Sequence, residues 1–340
     1  MEIKLLSISE KPGQVTEIPA NPAPDVVESA STMGTVFEIL IYGSDRRNLS
    51  AAARQALREI VNLDDQLSRW KSGTDIAYIN AHAAKERVRV EPELFDLLLR
   101  SRRIWSETNG AFDITVAPLV KAWGFYEKKG RLPGSEETKS ALEIVGMEHV
   151  VFDEEERTIF FERSGMEIDL GGIGKGYAVD RAVEILEACE VKAALVNSGT
   201  SSMYAIGSPP GQEWWHIGIR NPKDEEKSVA TLALKDGSVS TSGAPEKVFE
   251  VAGKKYSHII DPRSGRPAEG SVSATAIVGS AAESDALATA FYVLRVAGTR
   301  AYWEKHADVK AILIPATDEG KKPAVVAIGF DRNESTKRDK

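Results

Sequence analysis

Cysteine is almost absent from this sequence, and its scarcity excludes two classes of structure. The only thiol is Cys189, so the chain can form neither an intramolecular disulfide nor a zinc site built mainly from cysteines. Val183, Leu186 and Cys189 follow one another at helical spacing. Free cysteine is usually buried, so we interpret Cys189 as a core residue of a helix rather than a nucleophile.

Long apolar runs and runs of basic residues are also missing. No segment approaches the roughly 18 apolar residues of a membrane-spanning helix. The N-terminal MEIKLLSISEK lacks the roughly 7–15 apolar residues of a secretory signal. The formal net charge is −8, and no block of lysines and arginines offers a footprint for nucleic acid. The sequence thus predicts no membrane span, no nucleic-acid partner and, without a signal, a cytoplasmic location.

The composition that remains is typical of a globular protein, with 42% hydrophobic and 28% charged residues among 340. Such a chain can bury a sizeable core as one large domain or as two closely packed ones. Residues 1–30 are polar and contain four prolines, so we expect an arm with little structure of its own. Residues 331–340 form a charged tail, which leaves 31–330 as the predicted folded domain.

Strand and helix patterns alternate along the body of the chain. β-Branched and aromatic residues predict a strand at 35–42, and helical spacing of apolar residues predicts helices at 53–67, 94–107, 177–189 and 283–294. Because the strands occur in clusters rather than in strict βαβ alternation, we predict an α+β fold of mixed sheets with flanking helices. The remaining strand patterns are a hairpin at 150–161 and segments 193–196, 216–220, 229–235, 273–278, 311–315 and 324–328.

The segment IDLGGIGKGY, which precedes the predicted helix at 177–189, has four glycines in six residues. Glycines let the backbone approach a ligand closely or adopt positive φ, and a helix N-terminus offers unpaired N–H groups to a phosphate. The segment is neither a P-loop, because Gly176 follows Lys175, nor a dinucleotide fingerprint, because Tyr177 stands at the third glycine. A phosphate site and a tight strand-to-helix turn both fit this pattern.

Asp285 and Thr289 lie four residues apart near the start of the helix predicted at 283–294. They share a helix face other than the apolar one, and a carboxylate stacked on a hydroxyl supplies oxygen ligands for a hard cation such as Mg²⁺. The alternative is structural: the helix dipole favours an Asp at this end, and the threonine hydroxyl bonds back to the preceding turn. Spacing alone leaves both alternatives open.

Three further segments carry residue types that bind ligands but also occur in ordinary cores. A lone histidine has a suitable pKa for a base yet is more often structural. Aromatic and methionine side chains contact flat rings, and an aspartate in a turn can cap that turn. The residues concerned are His258 and Asp261, Phe112 and Asp113, and Met33 and Trp70.

The order of the motifs along the chain is more specific than any one of them. AFDITVAPLVKAWGF, IDLGGIGKGYAVD, ALVNSG, VSTSG, HIIDPRSGRP and SDALATA, taken in this order, closely resemble the FAD:protein FMN transferase family, also called the ApbE family. The resemblance runs over about residues 33–294. It implies an α+β body of two intertwined lobes, with FAD in the cleft between them.

The resemblance also implies roles for individual residues. Asp285 and Thr289 match metal ligands, joined by a backbone oxygen at Gly172, and His258 matches a histidine proposed as a base, so that Asp285 and His258 are the implied catalytic residues. The positions that match FAD contacts are Met33, Trp70, Ala111, Phe112, Asp113, Asp169, Lys175 and Ile259.

The implied reaction is Mg²⁺-dependent transfer of FMN from FAD onto a threonine or serine hydroxyl of an acceptor flavoprotein, with release of AMP. Two departures from the family pattern remove carboxylates: Gly199-Thr200-Ser201 stands where Gly-Gly-Asp is common, and Gly243-Ala244-Pro245 where Gly-Asp-Tyr is common. A Mg²⁺-dependent FAD pyrophosphatase and a non-catalytic flavin-binding protein are therefore alternatives. Many relatives are exported lipoproteins, and the sequence indicates neither the acceptor nor an oligomeric state.

Overall fold

The structure is a computed structural model, and two compact units can be distinguished in it. The first unit comprises residues 1–62, 175–243 and 270–340, and the second comprises residues 63–174 and 244–269. The residues that the structure describes are 1–8, 19–127, 130–199, 201–222, 224–243, 248–251, 253–316 and 324–330.

The described residues form seven α-helices and eighteen strands, named here in chain order. The strands of the N-terminal part and the first helices are β1 (Glu2–Ile8), β2 (Val26–Thr32), β3 (Thr35–Ile41), α1 (Arg46–Leu67), α2 (Asp75–His82), β4 (Val88–Arg89), α3 (Pro92–Glu107), α4 (Ala117–Ala122) and α5 (Ser135–Leu142). The middle elements are β5 (Val150–Asp153), β6 (Thr158–Phe161), α6 (Gly174–Ala188), β7 (Ala194–Asn197), β8 (Ser202–Ile206), β9 (Trp215–Asn221), β10 (Asp224–Lys235) and β11 (Gly237–Gly243). The last are β12 (Val248–Val251), β13 (Lys254–Ser257), β14 (Ile260–Asp261), β15 (Arg266–Pro267), β16 (Ser271–Val278), α7 (Ala281–Trp303), β17 (Lys310–Pro315) and β18 (Val326–Ile328).

An eight-stranded sheet, ordered β18-β17-β16-β11-β8-β7-β3-β2, is the largest element of the first unit. Its neighbouring strands pair antiparallel. Successive residues of a strand face opposite sides of a sheet, so β11 turns Ser238 and Ser240 toward α7, while Val239 enters an apolar core. That core is shared with a three-stranded sheet, β1-β10-β9, which contributes Trp215 and Leu232.

The second unit contains the sheet β4-β6-β5, helices α2 to α5 and two short hairpins, β12-β13 and β14-β15. Leu119, Trp123, Val145 and Ile260 form one of its cores. The indole nitrogen of Trp123 donates to the carbonyl of Gly265 at 2.8 Å, which satisfies a polar group that burial would otherwise penalise.

The predicted α+β class is confirmed, and most predicted elements lie where the pattern put them. The helix predicted at 177–189 is α6, and the hairpin predicted at 150–161 is formed by β5 and β6. The helix predicted at 283–294 stops one residue before Arg295, where α7 is kinked by a φ of 60°. Among the described residues, no helix is long and apolar enough to cross a membrane.

Two expectations were wrong. The expected arm at residues 1–30 contains regular structure, because Glu2–Ile8 forms β1 and pairs with β10, and β2 begins at Val26; residues 9–18 lie outside the described residues. Cys189 is exposed, not part of the core, because it follows the last residue of α6. The charged tail 331–340 lies outside the described residues, and the domain limits 31–330 stay a prediction.

Candidate functional site

The first turn of α6 packs closely against the first turn of α7. A Cβ atom added to Gly176 would lie 2.0 Å from the carbonyl oxygen of Ala281 and 2.8 Å from the Cβ of Asp285. Only glycine fits at this distance. None of Gly171, Gly172, Gly174 and Gly176 has a positive φ. Gly176 therefore serves contact between two helices, where the sequence alone suggested an approach to a ligand.

The close helix contact brings the Asp285 carboxylate to the start of α6. The side chain is 3% exposed, and its Oδ2 accepts the N–H of Gly176 at 3.0 Å. Ser201 donates to Oδ1 at 3.4 Å. Burial raises the pKa of Asp285, while the charge of Lys175 and the hydrogen bonds from Gly176 and Ser201 act in the opposite direction. The buried Asp285 carboxylate is thus held beside the charge of Lys175 and the N-terminus of α6.

Asp285 does not cap its own helix, and its carboxylate accepts instead from the N–H of Gly176 on α6. The N-cap is Ser280, whose Oγ accepts the N–H of Glu283 at 3.3 Å. The Asp180 carboxylate on α6 accepts from the backbone of Ala281 at 2.6 Å and of Ala282 at 3.0 Å. Since Asp180 accepts from the free N–H groups of α7, the Asp285 carboxylate is not needed to cap that helix.

Thr289 follows one turn later on the same face, and for this residue both alternatives apply. Its hydroxyl lies 3.1 Å from the Oγ of Ser242 on β11 and donates to the carbonyl of Asp285 at 3.4 Å. The second bond is long, as expected of a contact that can be exchanged. Because the hydroxyl donates to Asp285, it accepts from Ser242, and one lone pair of its oxygen remains for a cation.

The oxygen atoms of Asp285, Thr289 and Gly172 are of types that fit a hard divalent cation. The predicted ligands are a carboxylate, a hydroxyl and a carbonyl, which are the oxygen types that Mg²⁺ prefers. Within the described residues, no three His, Cys, Asp or Glu side chains come together as a metal site, and the predicted set does not need such a group. Gly172 belongs to the second unit, and its carbonyl as a third ligand stays a prediction.

In the second unit, Trp70 and Asp169 are held by residues that the sequence analysis did not single out. Trp70 is 65% exposed, and its ring meets that of Tyr126 edge-on at 4.8 Å. The hydroxyl of Tyr126 donates to Asp169 Oδ2 at 2.6 Å. The backbone N–H of Asp169 donates to the carbonyl of Ile114 at 2.7 Å. A predicted ring contact and a predicted polar contact for FAD are therefore joined through one tyrosine.

The turn at Ala111, Phe112 and Asp113 is buried, and the Asp113 side chain caps it. Asp113 Oδ1 accepts the N–H and the hydroxyl of Thr115, at 2.7 and 2.6 Å, and Oδ2 accepts the N–H of Met147 at 3.2 Å. Burial raises the pKa of Asp113 to about 6 despite these bonds. Its role is the capped turn that the sequence left open, and an FAD contact at this turn stays a prediction.

The other predicted residues occupy varied positions. His258 is half-buried, with its ring 6.5 Å from that of Phe125. Ile259 is buried, and its carbonyl accepts the N–H of Ala268 at 2.8 Å. Met33 is half-buried in the turn between β2 and β3, with a φ of 49°. The contacts of these residues with FAD, and a role of His258 as a base, stay predictions.

One of the departures from the family pattern lies beside Asp285. Ser201 takes the place of a common carboxylate, and its hydroxyl is the one that donates to Asp285. Thr200, Ala244 and Pro245 lie outside the described residues. Ser242 and Asp180 were missed because a serine or an aspartate that contacts a distant segment gives no local signal.

The sequence matches the model of the ApbE family over residues 33–313, and the protein belongs to this family. Its relatives include two named FAD:protein FMN transferase. One, from Klebsiella pneumoniae (strain 342), is 30% identical over 288 residues, which span 84% of this chain and 88% of the relative. The other, from Escherichia coli (strain K12), is 31% identical over 279 residues, which span 79% and 78%.

Solved structures agree with the family assignment. The ApbE protein of Thermotoga maritima superposes with a TM-score of 0.80 at 31% identity, covering 88% of this chain and 96% of that one. The apo form of the flavinyl transferase ApbE of Pseudomonas stutzeri gives a TM-score of 0.76 at 28% identity, covering 89% and 94%. The resemblance on which the fold class and enzyme class were predicted is confirmed.

Proposed function

We propose that this protein is an FMN transferase, which moves FMN from FAD onto a threonine or serine hydroxyl of an acceptor flavoprotein and releases AMP. Membership of the ApbE family supports the reaction class. The observation that carries the proposal is the buried Asp285 carboxylate, held at the start of α6 beside Lys175 and one turn from Thr289. This arrangement suits the binding of a diphosphate together with a cation.

The reaction needs charge neutralisation more than covalent help from the protein. The acceptor oxygen attacks the FMN phosphorus, the bond from that phosphorus to the AMP oxygen breaks, and AMP leaves with the electron pair. The attacking hydroxyl gives up its proton, for which His258 is the candidate base. The diphosphate is negatively charged, so the Lys175 ammonium and the N–H groups at the start of α6 would stabilise it and the leaving group.

Asp285 and Thr289 would hold the metal, with the carbonyl of Gly172 as a third ligand. A bound Mg²⁺ supplies Lewis-acid polarisation of a phosphoryl oxygen. Asp285 contributes the negative charge of this ligand set. Its burial would strengthen the attraction to a bound cation, because the local dielectric constant is low. Thr289 contributes only a neutral oxygen, so its loss should be the milder one.

The test is an incubation of the protein with FAD, Mg²⁺ and a candidate acceptor flavoprotein, analysed by mass spectrometry of the acceptor and chromatography of the nucleotides. We expect flavinylated acceptor together with an equal amount of AMP. Free FMN plus AMP with unmodified acceptor would make the protein an FAD pyrophosphatase. Unchanged FAD would make it a flavin-binding protein without this chemistry.

Variants tie that reaction to the site. Asp285→Ala should nearly abolish transfer, while Thr289→Ala should reduce it and raise the Mg²⁺ concentration needed for half activity. Chelation by EDTA should stop the unmodified protein reversibly. Asp96→Asn, which changes an exposed carboxylate of α3, is the matched control and should leave transfer unchanged. Near-normal transfer by Asp285→Ala would overturn the metal-assisted reaction.

A further inference from the structure

Arg69, Tyr126 and Asp169 form a chain of hydrogen bonds in the second unit, and none of the three takes part in the proposed phosphoryl transfer. Arg69 Nη1 donates to the phenol oxygen of Tyr126, and the phenol donates to Asp169 Oδ2 at 2.6 Å. A phenol has one proton, so its donation to Asp169 leaves the oxygen to accept from Arg69. Burial and the charge of Asp169 raise the pKa of Tyr126, which keeps that proton on the phenol.

The chain fixes the orientation of the Asp169 carboxylate. One oxygen accepts from Tyr126, and the other accepts the N–H of Gly171 at 2.8 Å. Two donors on different oxygens define the plane of the group. A carboxylate has about four lone-pair positions, and Arg69 Nη1 also lies 3.6 Å from Oδ2, so about one or two positions remain for a ligand. The Asp169 side chain is 21% exposed, so a ligand can reach those positions.

The same tyrosine braces Trp70. The two rings meet at 86°, and the guanidinium carbon of Arg69 lies 4.1 Å from the centre of the Tyr126 ring and 5.4 Å from that of Trp70. Glu167 anchors Arg69 from the other side, with 2.5 Å between Nη2 and Oε2. The edge contact supports the indole of Trp70 and leaves much of it exposed. A flat ligand ring can stack on an aromatic ring only if the latter is accessible in this way.

We propose that Tyr126 and Arg69 are positioning residues, which hold the Asp169 carboxylate and the Trp70 ring at a fixed separation so that together they recognise the flavin ring of FAD. The inference rests on the proposed function and adds residues that govern its ring selectivity. The exposed indole stacks on a flat heteroaromatic ring. The open lone pairs of Asp169 accept an N–H from the edge of that ring. A ring that lacks an edge N–H satisfies only the first contact.

Tyr126→Phe is the decisive variant, because it removes the hydroxyl and keeps the ring beside Trp70. The affinities for FAD and for FMN are measured by quenching of protein and flavin fluorescence, without an acceptor. We expect both dissociation constants to rise about tenfold, the scale of one hydrogen bond to a charged group. The KM for FAD should rise in parallel, while kcat at saturating FAD stays within about threefold.

A double-mutant cycle separates positioning from general loss of structure. Asp169→Asn alone should weaken flavin binding, and adding Tyr126→Phe to it should cause little further loss, because the hydroxyl acts through the carboxylate. A merely structural tyrosine would give additive losses. Tyr78→Phe, which changes an exposed tyrosine of α2, is the matched control and should leave both affinities unchanged.

Arg69→Lys supplies a second and independent comparison, in case Tyr126→Phe folds poorly. Lysine keeps the charge but cannot reach both Glu167 and Tyr126 with a planar fork, so we expect about a threefold to tenfold loss of flavin affinity. Its control is Arg102→Lys. That arginine also pairs with a carboxylate, Glu154, and also lies over an aromatic ring, that of Phe152. The control should bind flavin normally.

Three results would overturn the inference: unchanged flavin affinity in Tyr126→Phe and Arg69→Lys, additive losses in the cycle, or a loss for FAD without a loss for FMN. The last would mean that the recognised ring is adenine. Because affinity is measured without an acceptor, failure of the unmodified protein to transfer FMN would overturn the proposed function and leave these comparisons intact.

Discussion

Asp113 and Asp285 are both buried carboxylates, but their hydrogen bonds suit different roles. Asp113 accepts from two backbone amides and one hydroxyl within its own unit, so the fold itself satisfies it. Asp285 accepts one backbone amide, and its other donor is the hydroxyl of Ser201, which can rotate toward another acceptor. The hydrogen bonds of Asp113 are thus supplied mainly by fixed backbone groups, whereas those of Asp285 include a donor that can rearrange.

The Asp285 side chain should therefore destabilise the metal-free protein. Its pKa is raised by burial, so its contribution to stability is present at low pH and is lost as pH rises through the folded-state pKa. We expect Asp285→Asn to raise the free energy of unfolding of the metal-free protein at neutral pH by about 1–3 kcal/mol. Denaturant unfolding with EDTA measures this.

Added Mg²⁺ should make the unmodified protein more stable than Asp285→Asn, which reverses the order of their unfolding free energies. At a hundredfold excess over its dissociation constant, a ligand stabilises by about 2.7 kcal/mol, and Asp285→Asn should lose that increment. A variant that gained as much from Mg²⁺ as the unmodified protein would show that the ion binds elsewhere.

Asp113 predicts a pH dependence of stability. Its folded-state pKa of about 6 lies above the ordinary value of 3.8, so its stabilising contribution is complete below about pH 4 and is lost as pH rises through about 6. In Asp113→Asn, the fall in unfolding free energy across this window should shrink by about 2–3 kcal/mol. Urea unfolding at a series of pH values gives the comparison, and Asp96→Asn should leave the fall unchanged.

Helix elements were predicted well because their apolar spacing is local, whereas the contact of α6 with α7 is not local. Gly176 and Gly174 both belong to α6, yet a Cβ on Gly174 would meet only Leu170 at the ordinary distance of 3.8 Å. Nothing in the motif distinguishes these two glycines. Their difference arises from a helix that begins at Ala281, more than a hundred residues later in the chain.

Gly176→Ala should thus separate the two helices, while Gly174→Ala should not. We expect the first to cost about 2–4 kcal/mol of unfolding free energy through overlap with backbone. The second should be neutral or stabilising by up to about 1 kcal/mol, since alanine favours helix. Thermal unfolding of the pair tests this. Equal effects would mean that α6 and α7 do not meet at Gly176.

Strand β1 offers a similar pair. Leu5 is 4% exposed within the core that β1 shares with the large sheet, whereas Leu6 is 41% exposed. Leu5→Ala should cost about 2–4 kcal/mol, and Leu6→Ala should stay within about 0.5 kcal/mol. Denaturant midpoints of the two variants measure the difference. If both were neutral, β1 would not be part of the folded core in solution.

At the scale of the whole molecule, each unit is built from segments that are distant in the chain. The motif IDLGGIGKGY crosses from the second unit to the first at Lys175, so Asp169 and Lys175 belong to different units although six residues apart. The large sheet likewise joins β3 to β7 and β11 to β16. Such pairings depend on contacts between segments, which local patterns do not encode.

The sequence by itself determined the element types, the α+β class and, through the order of its motifs, the family. Helical and strand periodicity arise from neighbouring residues, so α6, α7 and the β5-β6 hairpin were predictable. The same reliance on neighbouring residues explains the failures. The prolines among residues 1–30 predicted an unstructured arm, whereas Leu5 is buried in a core formed with distant segments of the chain.

Only the tertiary structure decided which polar residues work together. Asp285 was recognisable as a candidate, but its burial, its bond to Gly176 and the capping of α7 by Asp180 depend on how α6 meets α7. Tyr126 and Arg69 carried no signal at all, because 57 residues of chain separate two side chains that share one hydrogen bond. Burial and long-range pairing set the charge and the donors around a carboxylate, and neither quantity is a property of a local sequence.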